Sequence, residues 1–173
     1  MVILKTFTES VFESLPKVER ILPLTRYQYC DPLLAQVINQ LLQYSELNTI
    51  DINNLLITYK SQYLETGEST ADYIIWHYDN APVWDPSKTD EFLLIHNSPL
   101  GAETQFVRTE SPITQPLNRV TQELITTTGS VITVPNNTLV AYTNSDLHRA
   151  RPAVSPGWRH FLRIEKSDRT HRK

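Results

Sequence analysis

From residue 55 onward the chain breaks into short runs of β-branched and aromatic residues, and this limits its fold more than any other feature. The runs are "LLITYKSQYL", "DYIIWHYD", "EFLLIHN", "TQFVRT", "ELITTTG", "SVITVP", "TLVAYTN" and "WRHFLRIEK". Between them lie "TGEST", "NAPVWDPSKTD", "NSPLGA", "ESPITQPLN", "PNN" and "RPAVSPG", segments in which turn-forming residues concentrate. Roughly eight short strands with turn signals between them predict a mainly β protein, an antiparallel jelly roll. The chain has only four glycines but eleven prolines, so its turns are expected to rely on Pro and Asn.

The preceding residues read as a helical support. Asp31-Pro32 is a helix start, an N-capping acid followed by proline at the first helical position. Leu33, Leu34, Val37, Ile38, Leu41 and Leu42 then recur at three- and four-residue spacing and give one apolar face. A weaker helix is expected in "TESVFESLPKVERIL", broken or kinked at Pro16. The division is thus a single domain over 1–173, with a helical support at about 1–54, a jelly-roll core at about 55–166 and a basic tail at 167–173.

Charge and cysteine usage narrow the function. A net charge of −3 argues against a protein that grips phosphate backbones, so no nucleic-acid partner is expected. The basic "KSDRTHRK" is read as a solvated terminus. Cys30 is the only cysteine, which excludes an intrachain disulfide and a Cys-rich zinc site. The start has no basic region followed by a long apolar run, and no stretch has the length of a spanning helix. A soluble, cytoplasmic protein without a membrane partner is the expectation.

The run "WHYD" places His77 and Asp79 two positions apart. On a strand such residues share a face, with Cα atoms about 6.5–7 Å apart, so an imidazole and a carboxylate can converge on one divalent metal. Two ligands alone make a poor site. "TNSDLHRARP" offers His148 as a third, and a jelly roll brings sequence-distant strands side by side. Two histidines and one carboxylate form the facial set of non-haem Fe(II) oxygenases, which leaves positions open for co-substrate and O₂. His96, His160 and His171 are weaker ligand candidates. "PGWRHFLRIE" adds Arg159 and Arg163, eleven and fifteen residues after His148. If 2-oxoglutarate supplies the electrons, its distal carboxylate calls for such an arginine.

Together these residues resemble the Fe(II)/2-oxoglutarate-dependent oxygenases, whose core is a double-stranded β-helix, a cupin-like jelly roll. The resemblance covers roughly residues 70–166 and three segments in order. "WHYD" is similar to the proximal HxD motif. "NSPLGAETQFV" looks like the strand with the family's Gly-Gly-acid-Thr-aromatic pattern, here with Gly101-Ala102 in place of Gly-Gly. "VPNNTLVAYTNSDLHRARPAVSPGWRHFLRIE" resembles the closing stretch with the distal His and the co-substrate arginine. The taurine-dioxygenase-like and prolyl-hydroxylase-like branches are the nearest.

The resemblance implies that His77, Asp79 and His148 are the metal ligands, with Fe(II), 2-oxoglutarate and O₂ as cofactor and co-substrates. It implies that Arg159 pairs with the C5 carboxylate and that Thr104 hydrogen-bonds the co-substrate. Arg163 is a further co-substrate or substrate-side residue. No catalytic group beyond these ligands is implied. The implied reaction is hydroxylation of a C–H bond in a small-molecule, amino-acid or peptidyl substrate, with release of succinate and CO₂. A carboxylate at position 79 favours hydroxylation over halogenation, since halogenating relatives carry a small residue there. Trp84 is a candidate lid anchor, and Tyr59, Tyr63 and Tyr73 are candidate pocket residues. The alternative is a cupin-like jelly roll that binds a metal or small molecule without oxygenase activity.

Overall fold

The computed structural model describes residues 1–69, 75–79, 91–108 and 119–166, the side chains of 119 and 120 excepted. Its strands are β1 (Val2–Thr6), β2 (Arg20–Arg26), β3 (Leu55–Leu64), β4 (Glu91–Asn97), β5 (Gln105–Arg108), β6 (Ser130–Thr133), β7 (Thr138–Thr143), β8 (His148–Arg149) and β9 (Gly157–Lys166). The helices are α1 (Pro32–Leu42) and α2 (Arg119–Thr128), with three short 3-10 turns between α1 and its flanking strands. A six-stranded sheet runs in the order β1-β7-β4-β9-β3-β2, and a three-stranded sheet in the order β6-β5-β8. Their described pairings are all antiparallel. Phe106 of the small sheet packs against Phe92, Leu94, Val140 and Tyr142 of the large one, so the sheets face each other as a jelly roll requires.

The large sheet has two unlike faces, set by the alternation of side chains along each strand. Outward, Leu55, Ile57 and Tyr59 of β3, Leu93 and Ile95 of β4, and Leu162 and Ile164 of β9 form the main core with α1. Burying each such side chain fully contributes about 1.5–3 kcal/mol. The residues between them, Thr58 and Lys60 on β3 and Arg159, Phe161 and Arg163 on β9, turn inward and line a cavity.

Helix α1 begins where expected. Asp31 caps it, its carboxylate accepting from the Leu34 N–H at 2.9 Å, and Pro32 occupies the first turn. Leu34, Val37, Ile38, Leu41 and Leu42 are buried, while Leu33 is 43% exposed and falls outside the apolar stripe.

The rest of the helical support is corrected. Val2–Thr6 is an edge strand on β7, and Arg20–Arg26 is the opposite edge on β3. "TESVFESLPKVERIL" forms tight turns, with Glu13 N–H donating to Ser10 O at 3.2 Å and Leu15 N–H to Phe12 O at 3.0 Å, before entering β2. Pro16 lacks the N–H a continuing helix needs, and pairing with β3 overrides local helix propensity. Conversely, "ELITTTG" is helical, not a strand. Thr126 and Thr128 hydroxyls donate to the carbonyls of Gln122 and Leu124, four residues back, at 2.9 and 2.8 Å. The docking of Ile125 against Trp76 outweighs the strand preference of the threonines.

The strand expected over "DYIIWHYD" is described only at residues 75–79, where His77 forms a β-bridge with His148. The tail 167–173 and the turn 110–118 lie outside the described residues. No described helix is long and apolar enough to cross a membrane.

Asp31→Ala should cost about 1 kcal/mol in urea unfolding, and Asp31→Asn, also a strong cap, should retain most of that stability.

Candidate metal and co-substrate site

The β-bridge between His77 and His148 explains how two segments seventy residues apart reach one point. His77 N–H donates to His148 O at 3.0 Å, and His148 N–H donates to His77 O at 3.1 Å. Their imidazoles lie 4.3 Å apart between centroids on the inner face. Asp79, two residues on, joins them. One ligand atom from each of His77, Asp79 and His148 lies within 4.8 Å of the others.

The donor set suits a divalent metal. His77 Nδ1–H donates to Ile75 O at 2.9 Å, and His148 Nδ1–H donates to Asp146 O at 3.1 Å. Each backbone carbonyl fixes the tautomer, so Nε2 carries the lone pair a metal needs. Burial pushes the His77 imidazole down to about 4, assisted by His148, and burial also lowers His148. Both rings are therefore neutral near pH 7, as ligation requires. His148 Nε2 is 3.4 Å from Asp79 Oδ2.

Asp79 is tied to the large sheet from both oxygens. Arg163 donates to Oδ1 at 2.6 Å and Tyr142 Oη donates to Oδ2 at 2.6 Å. Burial alone would raise the carboxyl, but His148, the Arg163 guanidinium and the Tyr142 hydroxyl together hold it below its ordinary value. Arg163 also approaches Glu165 Oε2 at 3.7 Å and stands over the Phe92 ring at 5.4 Å. The polar partner of Arg163 at this cluster is therefore the Asp79 carboxylate. Tyr142 was not among the residues the sequence singled out. Its place one strand upstream of His148, at even spacing with Val140, is the signal that could have found it.

The cluster of His77, Asp79 and His148 opens into a cavity of about 230 Å³ lined among others by Pro23, Leu24, Thr58, Thr104, Phe161 and Arg159. Arg159 is 2% exposed, and its Nε donates to Ala102 O at 3.3 Å while its guanidinium stands 4.9 Å from the Phe161 ring centroid. Among the described residues it has no acidic partner, and burial draws it down to about 10. Gly101 makes the Ala102 carbonyl available. Its φ is +89°, and a Cβ there would lie 2.5 Å from Val154 Cγ2 and 2.8 Å from Val154 N, so only glycine permits this close passage.

Thr104 is buried in the same cavity wall, its N–H donating to His96 Nε2 at 3.3 Å. His96 is not brought to the ligand cluster. Its Nδ1 faces Asn136 Oδ1 and Ser98 Oγ, both at 3.2 Å, and burial, with Arg159 nearby, pushes it down to about 3. His160 lies on the opposite face, meeting Tyr59 Oη at 3.0 Å and stacking on Phe12.

Tyr59 belongs to the outer core, and Tyr63 shares that face, so neither lines the cavity. Trp76, the neighbour of His77, is core beneath α2, with Tyr78 packed against it. Trp84, Tyr73 and His171 lie outside the described residues.

No protein-family model matches the chain, and no curated protein matches it in sequence. Solved structures to which the chain is similar include AviO1 from Streptomyces viridochromogenes Tue57, at 19% identity and a TM-score of 0.45, over 83% of this chain and 60% of that one. A prolyl 4-hydroxylase from Phytophthora capsici aligns at 17% identity and a TM-score of 0.48, over 90% of this chain and 50% of that one. EvdO2 from Micromonospora carbonacea var. aurantiaca, solved with 2-oxoglutarate, aligns at 10% identity and 0.45, over 87% and 67%. The chain thus spans 60% and 50% of the first two proteins' lengths.

Removing one partner of a buried ion pair leaves the other uncompensated. Arg163→Met should destabilise the metal-free protein by about 3 kcal/mol, and Tyr142→Phe by about 1.5 kcal/mol, in urea unfolding.

Proposed function

We propose that the chain is an Fe(II)- and 2-oxoglutarate-dependent dioxygenase that hydroxylates a C–H bond of a small-molecule, amino-acid or peptidyl substrate. The observation that carries this reading is one cavity joining two features. His77, Asp79 and His148 converge at one part of it, and Arg159, a buried cation without an acidic partner among the described residues, lines another. A buried charge left unpaired is costly, so its place in a cavity wall argues for an anionic ligand.

In this reading His77, Asp79 and His148 hold the iron through two neutral imidazoles and one carboxylate. Bound together, Fe(II) and 2-oxoglutarate supply the oxidising chemistry: O₂ is consumed, 2-oxoglutarate becomes succinate and CO₂, and a substrate C–H bond becomes C–OH. The chain's own residues do the positioning. Arg159 presents a planar fork that matches a carboxylate in two parallel hydrogen bonds. Thr104, fixed through its backbone by His96, is the co-substrate residue that the family resemblance implies. Arg163 and Tyr142 orient the Asp79 carboxylate rather than reach past it. Phe106 and Tyr142 rings, 5.4 and 5.2 Å from the His148 centroid, keep water from that side of the cluster.

Protein supplied with Fe(II), 2-oxoglutarate and O₂ should release succinate. Anaerobic titration with Fe(II) and 2-oxoglutarate should raise a visible absorption band. Arg159→Ala should abolish the band while leaving metal uptake intact, and His148→Ala should abolish metal uptake itself. Metal uptake by the wild type without any response to 2-oxoglutarate would favour a metal-binding jelly roll instead.

A further inference from the structure

His77 and His148 meet through a single β-bridge, and the segment that carries His77 stands at the margin of the small sheet. On its far side β8 pairs with β5, and among the described residues no strand lies beyond His77. In an antiparallel pair, alternate residues turn their N–H and C=O to opposite sides. His77 uses both of these groups on His148, so Trp76 directs its own N–H and C=O away from the sheet.

Gln122 of α2 meets both. Its Oε1 accepts from the Trp76 N–H at 2.8 Å, and its Nε2–H donates to the Trp76 carbonyl at 2.7 Å. A side-chain amide thus takes the place that the peptide group of a neighbouring strand would occupy. An ionised glutamate has no donor for the carbonyl, and asparagine is one methylene shorter, so the residue type suits the task.

Further contacts fix the same tryptophan. Its indole Nε1–H donates to Thr126 Oγ1 at 3.1 Å, and that hydroxyl donates to the Gln122 carbonyl at 2.9 Å. The Arg149 guanidinium stands 4.3 Å from the indole ring centre, and its Nε donates to Gln105 Oε1 at 3.0 Å. Trp76 precedes His77 and Arg149 follows His148, so the chain neighbours of the two histidines meet on the reverse side of the bridge. Packing of Ile125 covers the indole, whereas hydrogen bonds at both backbone groups also fix where the segment lies.

We propose that Gln122 is a positioning residue of the metal centre: its amide holds the His77–Asp79 segment against β8, so that His77, Asp79 and His148 stand in place before a metal binds. This rests on the metal-binding part of the function proposed above. Arg163 and Tyr142 hold the Asp79 end of the segment from the large sheet, and Gln122 holds the other end from α2.

The test is anaerobic calorimetric titration of Fe(II) into wild type, Gln122→Met and Asp31→Ala, with thermal unfolding and amide hydrogen exchange of each metal-free protein. Methionine keeps the length of the side chain and removes both hydrogen bonds. Asp31→Ala weakens the fold at α1, on the outer face of the large sheet, and is the comparison for a loss of stability alone. Gln122→Met should bind Fe(II) about tenfold more weakly, as when partners behind metal ligands are removed. Its amides at Trp76 and His77 should exchange faster while those of β3 and β9 keep their protection. Asp31→Ala should bind Fe(II) as the wild type does. An affinity within about twofold of wild type in Gln122→Met overturns the proposal and leaves the metal site standing. Equal weakening in Asp31→Ala also overturns it, since affinity then follows stability, and so does faster exchange spread over the whole large sheet. Failure of the wild type to take up Fe(II) removes the metal reading itself, and the Gln122 proposal with it.

Discussion

The buried pairing of Asp79 with Arg163 is the interaction on which the rest of the site depends. Asp79 belongs to a segment held to the small sheet, and Arg163 belongs to β9 of the large one. Their contact therefore ties one layer to the other at the ligand cluster. A carboxylate in this environment is tolerable only because strong donors meet both of its oxygens, Arg163 on one side and Tyr142 on the other. The same donors fix its direction, so the cluster is arranged by the fold before any ligand arrives. That is the economy of a preorganised site: the ordering is done in folding and need not be done again on binding.

The large sheet makes this possible by dividing its labour between faces. Spaced two apart along β3, β4 and β9, Leu55, Ile57, Tyr59, Leu93, Ile95, Leu162 and Ile164 enter a continuous apolar core with α1, which gives the strands their fixed places. The alternate residues are then free to be costly ones: Thr58, Lys60, Arg159 and Arg163. A one-residue slip between β3 and β9 would exchange the two sets and bury Arg159 and Arg163 against leucines. The ten-residue register of β3 with β9 is protected by that penalty. The stability of the outer face thus fixes where the inner residues stand.

Legibility in the sequence followed the strength of the local signal. Asp31-Pro32 and the leucines after it carry both a cap and a period, and α1 lies where they place it. His77, Asp79 and His148 were singled out from a two-residue spacing and one distant histidine, and the structure brings a side-chain atom of each within 4.8 Å of the others. Edge strands β1 and β2 were not, because their partners lie far along the chain and nothing local announces them. The threonines of "ELITTTG" gave a strand signal that the docking of Ile125 against Trp76 overrides. Tyr142 acquires its meaning only from Asp79, a neighbour far along the chain.

β2 bulges where its pairing with β3 jumps from Leu22↔Tyr59 to Thr25↔Ile57, and this has a consequence for how the sheet ends. β2 is an outermost strand, and a regular edge offers a row of free N–H and C=O groups on which another chain can add. Pro23 has no N–H to offer a further strand, and the positive φ of Leu24 breaks the straight line that such a strand would have to follow. The same kink that shapes the cavity wall also blunts the margin of the sheet against self-templated growth. A feature read as strain from inside the pocket is, from outside, protection against aggregation.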